Sequence, residues 1–510
     1  MAGIVYLVGA GPGDYKLITV KGRECIEKAD VIVYDYLADE KLLKWAKPEA
    51  EIIYAGKQCK HHTFTQDEIN AMLVKYGKAG KVVARLKGGD PLVFGRGGEE
   101  ALALKEANIP FEFVPGVTSA ISAPAYAGIP VTQRAVATSF AIVTGHEDPK
   151  KNESGIHWQG LAASVDTISF VMGVTNLPVI SARLIEYGRP KDTPVAVIRW
   201  GTKANQETLV STLETVADDV AKAKLKPPAL VVVGEVVKYR DALRWFDNKP
   251  LFGKTVMVTR ARAKASVLTE RLEELGAQVI EAAAIKTQPL ALDESTSETL
   301  LSAEPYKVVI FTSAEGVRYY FDALHGLGKD SRVLGTAKLC AIGTGTAKAL
   351  ADKGLLADIV PVDYKAESVV TAVSSYVKTG DKVLLIQPKK ARAVIPEGLT
   401  ALGVQVHTAR LYETVLDESQ AQIMQDALAK GEVDCITFTS SSTVTNTLGL
   451  LGAKGLELLS SVKIACIGPI TAATCVEQGL EPDLISEVHT IPALVEGVQK
   501  LLTHDEPINI

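Results

Sequence analysis

The sequence lacks the features that define several broad classes of protein. None of its apolar runs approaches the roughly 20 residues that a membrane-spanning helix needs. Its six cysteines form no CxxC pair, and its eight histidines show no HxxxH or HExxH spacing, so a metal site is not expected. The net charge of −5 argues against a general nucleic-acid binder, which would carry a basic stripe.

The N-terminal stretch and the cysteines predict the cellular compartment. The opening MAGIVYLVGAG has no basic segment before its apolar run, so no signal peptide is expected. Most cysteines lie within apolar segments, which favours reduced core thiols in a cytoplasmic protein. At 510 residues, of which 47 % are hydrophobic, the chain is long enough for several compact units of roughly 150 residues.

Short β-branched runs alternate with amphipathic helical segments along the chain. This pattern is typical of an α/β fold with largely parallel sheets. The strands predicted in the first half include Val5–Val8, Val31–Tyr34, Val82–Leu86, Ala141–Thr144, Ile168–Met172 and Ala229–Val233. Asn, Lys, Pro and Gly gather near Asn248 before a new strand begins at Thr255, which predicts a boundary between two halves there.

The second half contains an internal duplication. The segment KTVMVTRARAK resembles DKVLLIQPKKAR, and at a nearly constant offset Thr312 matches Thr439 and Gly343 matches Gly468. We therefore expect two similar α/β lobes, with a cleft between them that suits a ligand.

The stretch YLVGAGPGD, Tyr6–Asp14, ends an apolar strand in a glycine-rich turn of the kind that binds dinucleotides. Its first two glycines fit GxGxxG, and Asp35 ends the next strand. However, Asp14 replaces the third glycine with a negative charge, and Pro12 removes one backbone donor. A neutral or cationic ligand such as S-adenosylmethionine meets neither objection. The alternatives are a turn that binds nothing and the dinucleotide site of an NAD-dependent reductase.

Two further glycine-rich connections, Arg85–Glu100 and Val114–Arg134, follow later strands, which indicates one site at a sheet edge. These three stretches, together with TGH, VMGVTNL, GTKANQETLVSTL and PPALVVVGEVV, resemble uroporphyrinogen-III C-methyltransferases of the tetrapyrrole methylase family over residues 1–247. The resemblance implies two α/β lobes that hold S-adenosyl-L-methionine between them, and a homodimer. The implied cofactor-binding residues are Pro12, Gly88, Gly89, Asp90, Val93, Thr118, Ser119, Met172, Gly201 and Ala229.

The implied reaction methylates C2 and C7 of uroporphyrinogen III to give precorrin-2, on the route to sirohaem and cobalamin. Asp35 resembles the family's proposed proton acceptor and Lys57 its proposed donor; otherwise they are a helix cap and a solvated lysine. Gln133 stands where the family commonly has histidine. The candidates to bind substrate carboxylates are Arg85, Lys87, Arg96 and Arg134. Glu99 and Glu100 are expected at the exposed start of a helix.

In the second half, basic segments follow matching strands. These segments are TRARAK, Thr259–Lys264, and QPKKAR, Gln387–Arg392. The same half contains four hydroxyl-rich turns, FTSAEG, GTGTA, FTSSST and GPITA. Basic side chains and hydroxyl groups together suit the binding of an anionic ligand. This half resembles uroporphyrinogen-III synthase over roughly residues 251–503. The resemblance implies two lobes joined by extended linkers, about 251–288 plus 415–503 and about 289–411.

The implied synthase reaction closes hydroxymethylbilane into uroporphyrinogen III. Tyr412 matches the family tyrosine proposed to assist departure of the hydroxyl; otherwise it is a partly buried aromatic residue at the end of a strand. The residues expected to bind substrate are Arg260, Thr312, Ser313, Thr344, Thr346, Thr439, Ser440 and Thr471. The synthase product is the methyltransferase substrate, so a bifunctional enzyme is predicted. A sensor that only binds anionic tetrapyrroles is the non-enzymatic alternative.

Overall fold

The computed structural model describes residues 3–56, 64–146, 155–260, 262–302, 304–363 and 365–503. These residues form four five-stranded sheets. The chain divides into two compact units. The first contains the residues up to Val256, Glu270–Val279 and the residues from Val498; the second contains Met257–Thr269 and Ile280–Gly497. Within the described ranges, no helix is long and apolar enough to cross a membrane.

The first sheet is parallel, with the strand order β3-β2-β4-β1-β5. Its strands are β1 (Ile4–Gly9), β2 (Val31–Tyr34), β3 (Glu51–Tyr54), β4 (Val82–Lys87) and β5 (Phe111–Val114). Its helices are α1 (Val20–Lys28), α2 (Gln66–Lys78), α3 (Gly97–Glu106) and α4 (Ser119–Tyr126). Because the strands are parallel, the glycine-rich connections after β1, β4 and β5 all begin at the same edge of the sheet.

Both faces of this first sheet are buried. Along β1, Val5 and Leu7 belong to one hydrophobic cluster, whereas Val8 belongs to another on the opposite face. A parallel strand covered on both faces needs a continuous apolar run, which the sequence IVYLVG provides apart from Tyr6.

The second sheet is mixed, with the order β6-β7-β10-β8-β9. Its strands are β6 (Phe140–Thr144), β7 (Thr167–Val171), β8 (Pro194–Arg199), β9 (Glu207–Thr212) and β10 (Ala229–Val233), and its helices are α5 (Trp158–Ser164), α6 (Leu177–Glu186), α7 (Val216–Lys222) and α8 (Arg240–Leu243). β6 and β7 are parallel, but β10 is antiparallel to β7 and β8, and β8 to β9. The prediction of largely parallel sheets is wrong here. The connection from β8 to β9 is too short for the crossover that parallel pairing requires.

The second half of the chain forms the other two sheets, ordered β12-β11-β18-β19-β20 and β13-β17-β16-β14-β15. The strands of the first are β11 (Thr255–Val258), β12 (Gln278–Glu281), β18 (Cys435–Phe438), β19 (Lys463–Cys466) and β20 (Leu484–Ile485). Those of the second are β13 (Ile285–Pro289), β14 (Val308–Phe311), β15 (Lys338–Ala341), β16 (Lys382–Pro388) and β17 (Gln405–Leu416). The helices are α9 (Arg262–Glu274), α10 (Glu294–Leu300), α11 (Ala314–Gly326), α12 (Thr344–Ala351), α13 (Ala366–Ser374), α14 (Val394–Ala401), α15 (Ala421–Ala429), α16 (Ser441–Leu451), α17 (Gly455–Leu459), α18 (Pro469–Glu477) and α19 (Ile491–Thr503).

The duplication in the sequence is a duplication of structure. Ser313 follows β14 and caps α11, accepting a hydrogen bond from the backbone N–H of Gly316. Ser440 follows β18 and caps α16 in the same way, accepting from the N–H of Thr443. A serine oxygen here satisfies one of the unpaired amides of the first helical turn. Each sheet therefore contains the same unit of strand, serine cap and helix.

Candidate functional site

The loops that follow β1 and β4 are joined by reciprocal backbone hydrogen bonds. The N–H of Gly11 donates to the carbonyl of Gly89 at 3.2 Å, and the N–H of Gly89 donates to the carbonyl of Gly11 at 2.7 Å. Both glycines have positive φ, 81° and 70°, a conformation that glycine adopts without steric cost. The N–H of Ala10 donates to the carbonyl of Lys87. These amides are already paired, so they do not form the cradle of free donors that a diphosphate requires.

The loop after β5 packs directly against the two loops that follow β1 and β4, with no side chain between the backbones. A Cβ added to Gly9 would overlap the backbone of Gly116, and a Cβ added to Gly116 would overlap the carbonyl of Gly89. Three connections therefore approach one another backbone to backbone. This close approach is the physical reason for a glycine in each of the three motifs.

Asp90 ties two of these loops together. Its carboxylate accepts hydrogen bonds from the backbone N–H groups of Leu92, at 2.8 Å, and Val93, at 3.2 Å, within its own turn. The other oxygen accepts from the N–H of Gly116 at 2.9 Å. The Asp90 side chain thus fixes the shape of the loop that carries Gly88, Gly89 and Val93.

Asp14 joins the first loop to α4 and to the loop that follows β8. Its backbone N–H donates to Thr202 Oγ1 at 2.9 Å, and its carboxylate accepts from the hydroxyl of Tyr126 at 2.9 Å and from the N–H of Lys16. Burial and the Asp14 charge raise the pKa of Tyr126, which keeps its proton. The carboxylate expected to oppose a diphosphate therefore binds the Tyr126 hydroxyl, and the backbone N–H of the same residue binds the loop after β8.

The remaining cofactor candidates lie in loops and helix ends of the same half. Thr118 is the N-cap of α4, which begins at Ser119, and its hydroxyl accepts from the N–H of Ala120. Met172 has a φ of 55° and is 54 % exposed. Gly201 has no room for a Cβ because Ala123 of α4 packs against it. Pro12 and Ala229 are half-buried.

Asp35 lies directly after β2, at the same edge of the first sheet. One carboxylate oxygen accepts from the N–H of Leu37 at 3.1 Å, and the other accepts from Arg85 Nη2 at 3.3 Å. Its side chain is 26 % exposed, so it is held on one side and open to solvent on the other. Lys57, the expected proton donor, lies outside the described residues.

Arg85 and Lys87 point into the protein and share a buried partner. Arg85 Nη1 donates to the carbonyl of Leu86, and its Nε donates to Glu100 Oε1 at 3.3 Å. Lys87 Nζ donates to the same oxygen at 2.7 Å. Burial lowers the pKa of Lys87, and the neighbouring charge of Arg85 lowers it further. Arg85, proposed as a substrate-binding residue, is therefore buried and bound to carboxylates of this chain.

The expectation that Glu99 and Glu100 are both exposed is wrong for Glu100, which is fully buried. The buried face of α3 is formed by Gly97, Glu100, Ala101 and Leu104, a spacing of three and four residues. This helical periodicity was the signal in the sequence that places Glu100 inside.

The other two arginines expected to bind substrate differ from Arg85. Arg96 is exposed and makes two hydrogen bonds with the Glu99 carboxylate, at 2.8 and 2.7 Å, which lower the pKa of Glu99. Arg134 is exposed. Its neighbour Gln133 forms a backbone bridge with Ala137. Arg96 and Arg134 can therefore reach an external anion.

In the second half, Tyr412 on β17 is 4 % exposed, and its hydroxyl oxygen lies 2.7 Å from Ser313 Oγ. Its ring stacks on Tyr319 of α11, with centroids 5.1 Å apart and planes at 13°. Burial raises the pKa of Tyr412, so the phenol stays protonated. Ser313, expected to bind a carboxylate, thus already contacts the expected catalytic tyrosine.

Sequence reasoning missed the residues that support the Tyr412 ring. The guanidinium of Arg318 lies 4.0 Å from the centroid of Tyr319, on a ring that also stacks with Tyr412. The hydroxyl of Tyr319 donates to Thr287 Oγ1 at 3.2 Å, and Arg318 pairs with Glu315 at 2.7 Å. A cation near an aromatic ring is attracted to its electron-rich face. The segment GVRYYF gave a helical pattern but no sign of this arrangement.

The remaining candidates of the second half occupy different environments. Thr312 donates its hydroxyl to the carbonyl of Ile386 at 2.9 Å. Thr346 and Thr471 are 5 % and 4 % exposed, so they line the protein interior. Arg260 is half-buried, and burial lowers its pKa. Exposed or partly exposed hydroxyls remain at Thr344, Thr439 and Ser440.

Comparison with known proteins assigns both halves. The family model described as Tetrapyrrole (Corrin/Porphyrin) Methylases matches residues 4–217, and the one described as Uroporphyrinogen-III synthase HemD matches residues 266–496. The porphyrin biosynthesis protein HemD of Ruminiclostridium josui is 37 % identical over 499 residues, which is 98 % of each chain. The uroporphyrinogen-III C-methyltransferase of Priestia megaterium is 54 % identical over 237 residues, 46 % of this chain and 99 % of that protein.

A solved structure of the uroporphyrin-III C-methyl transferase from Thermus thermophilus, complexed with S-adenyl homocysteine, has 39 % sequence identity and a TM-score of 0.40. It covers 46 % of this chain and 99 % of its own.

The two halves of this chain are therefore a tetrapyrrole methylase and a uroporphyrinogen-III synthase, joined in one enzyme. The chain belongs to the HemD family of porphyrin biosynthesis proteins. The family and the α/β fold class predicted from the motifs are confirmed.

Proposed function

We propose that the second half cyclises hydroxymethylbilane to uroporphyrinogen III and that the first half methylates this product at C2 and C7 to give precorrin-2. The observation that carries the methyltransferase part is the reciprocal backbone pairing of Gly11 with Gly89, at the sheet edge where Asp35 follows β2. This edge of the first sheet presents hydrogen-bond acceptors and a carboxylate base, whereas the paired glycine amides are not available to bind a diphosphate.

The methyl donor is S-adenosyl-L-methionine, which supplies a methyl group already activated on a positively charged sulfur. The residues that would hold it are Pro12, Gly88, Gly89, Asp90, Val93, Thr118, Ser119, Met172, Gly201 and Ala229. The backbone-to-backbone packing of the three glycine loops supports this site, because it presents a rigid and closely shaped edge. Rigid placement of reacting atoms supplies much of the rate of a reaction whose reagents are already activated.

Asp35 accepts the proton that leaves the macrocycle after methylation, and Lys57 is the proton donor. The partial exposure of Asp35 supports its role as the proton acceptor. Its carboxylate is oriented by hydrogen bonds from Leu37 and Arg85 and remains accessible to a substrate. A base within hydrogen-bond reach of the departing proton is the requirement for this step. Arg96 and Arg134 bind substrate carboxylates from the exposed side, and Arg85 acts through Asp35.

Tyr412 donates its proton to the departing hydroxyl of hydroxymethylbilane in the second half. The position of its hydroxyl, 2.7 Å from Ser313 Oγ in a hydroxyl-rich turn, supports this role, because a general acid must be held within hydrogen-bond reach of the group that leaves. The substrate carboxylates are bound by Arg260, Thr312, Ser313, Thr344, Thr346, Thr439, Ser440 and Thr471.

The two enzymes correspond to residues 1–247 and 251–503, and the synthase lobes to about 251–288 plus 415–503 and about 289–411. The sheets support the division between the halves, because strands up to Val233 form two sheets and strands from Thr255 onward form the other two. Within the second half, β13 (Ile285–Pro289) pairs with β17 and so belongs to the sheet of the 289–411 lobe. We further propose a homodimer through the methyltransferase half, and a cytoplasmic enzyme, since the five described cysteines are buried free thiols.

The deciding experiment supplies hydroxymethylbilane and S-adenosyl-L-methionine to the intact protein and identifies the product by mass and isomer. Precorrin-2 of the type III series is expected. Formation of the type I isomer alone would mean that the second half only binds tetrapyrroles. Calorimetry separates the reductase alternative: S-adenosyl-L-homocysteine binds and NAD does not.

A further inference from the structure

A single buried oxygen collects three donors beneath the candidate methyl-transfer site. Glu100 Oε1 accepts from Arg85 Nε at 3.3 Å, from Lys87 Nζ at 2.7 Å and from Gln66 Nε2 at 3.3 Å. Glu100 is fully buried, and Arg85 and Lys87 are 3 % and 4 % exposed. Within the described part of the chain, Glu100 Oε2 has no hydrogen-bond partner.

Burying these charged groups in the core has a large free-energy cost. Each buried charge loses several kcal/mol of hydration, and a pair of apolar side chains of similar volume is often at least as stable. Apart from Arg85, Lys87 and Glu100 themselves, the buried side chains of β4 and α3 are apolar. Deviations from an apolar core are commonest where a protein is built for function.

The hydrogen bonds of this cluster connect Glu100 to Asp35 through Arg85. Glu100 binds Arg85 through Nε, and Arg85 reaches Asp35 Oδ2 through Nη2 at 3.3 Å. A guanidinium is planar, so fixing Nε fixes the direction in which Nη2 points. Lys87 donates its hydrogen bond to Glu100, whereas the hydrogen bond to Asp35 comes from Arg85.

We propose that Glu100 is a positioning residue for methyl transfer: it holds the Arg85 guanidinium in the plane that orients the carboxylate of Asp35. The role of Lys87 is to balance the charge that Glu100 brings into the core. The inference rests on the proposed function of Asp35 as the proton acceptor.

The test compares two double variants of the intact protein that have the same net charge. The first combines Lys87→Met with Glu100→Gln and keeps an acceptor oxygen for Arg85. The second combines Lys87→Met with Glu100→Met and removes that acceptor. Relative to Lys87→Met alone, the Gln variant is expected to keep kcat for methylation within about twofold and the Met variant to lose about tenfold, a part of what a base contributes. KM for uroporphyrinogen III and the Kd of S-adenosyl-L-homocysteine stay unchanged in both. Glu106→Gln, at an exposed position on the same helix, is the control for charge loss.

Equal kcat values for the two variants would overturn the proposal, as would a loss of kcat accompanied by weaker binding of S-adenosyl-L-homocysteine, because that pattern indicates a damaged scaffold. Thermal unfolding of each variant shows whether it is folded. If the Met variant does not fold, the Gln variant carries the test, and a tenfold fall in its kcat would overturn the proposal.

Repeating the Glu100 substitutions on an Asp35→Asn background separates this inference from the proposed function. If Glu100 acts through Asp35, the loss caused by its substitution disappears on that background. An equal loss on both backgrounds would overturn the positioning role alone. An Asp35→Asn variant with unchanged kcat would instead remove the proposed base, and the positioning role with it.

Discussion

The hydroxyl oxygens of Ser313 and Tyr412 lie 2.7 Å apart, and Ser313 Oγ also accepts the N–H of Gly316 at 2.9 Å. Ser313 Oγ has one proton and two acceptor positions, so either hydroxyl can be the donor in this pair. Ser313 thus connects the N-terminus of α11 to the Tyr412 hydroxyl and holds that hydroxyl in place.

Replacing Ser313 by alanine should lower synthase activity about tenfold, because Tyr412 loses the hydrogen-bond partner that holds its hydroxyl in place. Methylation of supplied uroporphyrinogen III should not change. The ratio of type III to type I uroporphyrinogen formed from hydroxymethylbilane measures the effect. Asp293→Ala is the matched control, since it removes the N-cap of α10 without touching Tyr412 and should cost only about 1 kcal/mol of stability. An equal fall in synthase activity in both variants would refute the interpretation.

Asp35→Ala should slow methyl transfer about a hundredfold, because the variant lacks the group that accepts the proton. Binding of S-adenosyl-L-methionine should persist, since the three glycine loops are paired through their backbones rather than through Asp35. Single-turnover methylation and calorimetry measure the two quantities. A variant that no longer binds the cofactor would contradict the assigned role.

Gly9→Ala should destabilise the first half by about 1–3 kcal/mol or more, because the new Cβ overlaps the backbone of Gly116. Gly98→Ala is the matched control. Its Cβ meets open space within α3, so it should stabilise the protein by about 0.5–1 kcal/mol. Thermal unfolding together with cofactor binding distinguishes the two substitutions. A Gly9→Ala variant as stable as the parent would show that the loops do not pack this closely.

Asp166 should stabilise the first half in a pH-dependent way. Hydrogen bonds from Thr138 and Ser139 lower the pKa of its carboxyl from 3.8 to about 2. Since the folded pKa lies below the unfolded one, the stabilisation is complete above about pH 4 and is lost as the pH falls towards 2. Asp166→Asn should therefore lower Tm at pH 7 and show a smaller difference from the parent at pH 2.5. A Tm difference that is constant with pH would contradict this.

Much of the candidate site could be predicted from local sequence because it consists of strand ends and turns. Gly11 and Gly89 lie in glycine-rich segments that follow apolar runs, and parallel strands bring such segments to one edge. The repeated serine caps at Ser313 and Ser440 were visible as repeated FTS turns. The burial of charged side chains was harder to predict. The sequence gives the sign of Arg85 and Glu100 but not whether water or another side chain surrounds them.

The amino-acid sequence by itself determined the family, three of the five strands of the first sheet (β1, β2 and β4) and the glycine-rich turns at its edge, because these depend on local apolar pattern and on conformations that glycine adopts most easily. The tertiary structure alone decided that Arg85 is turned inward to Glu100 and Asp35, that the second sheet is mixed, and that Tyr412 stacks on Tyr319. Burial and pairing of charges depend on which residues, distant in sequence, come within a few ångströms of one another, and that distance is set only when the chain has folded.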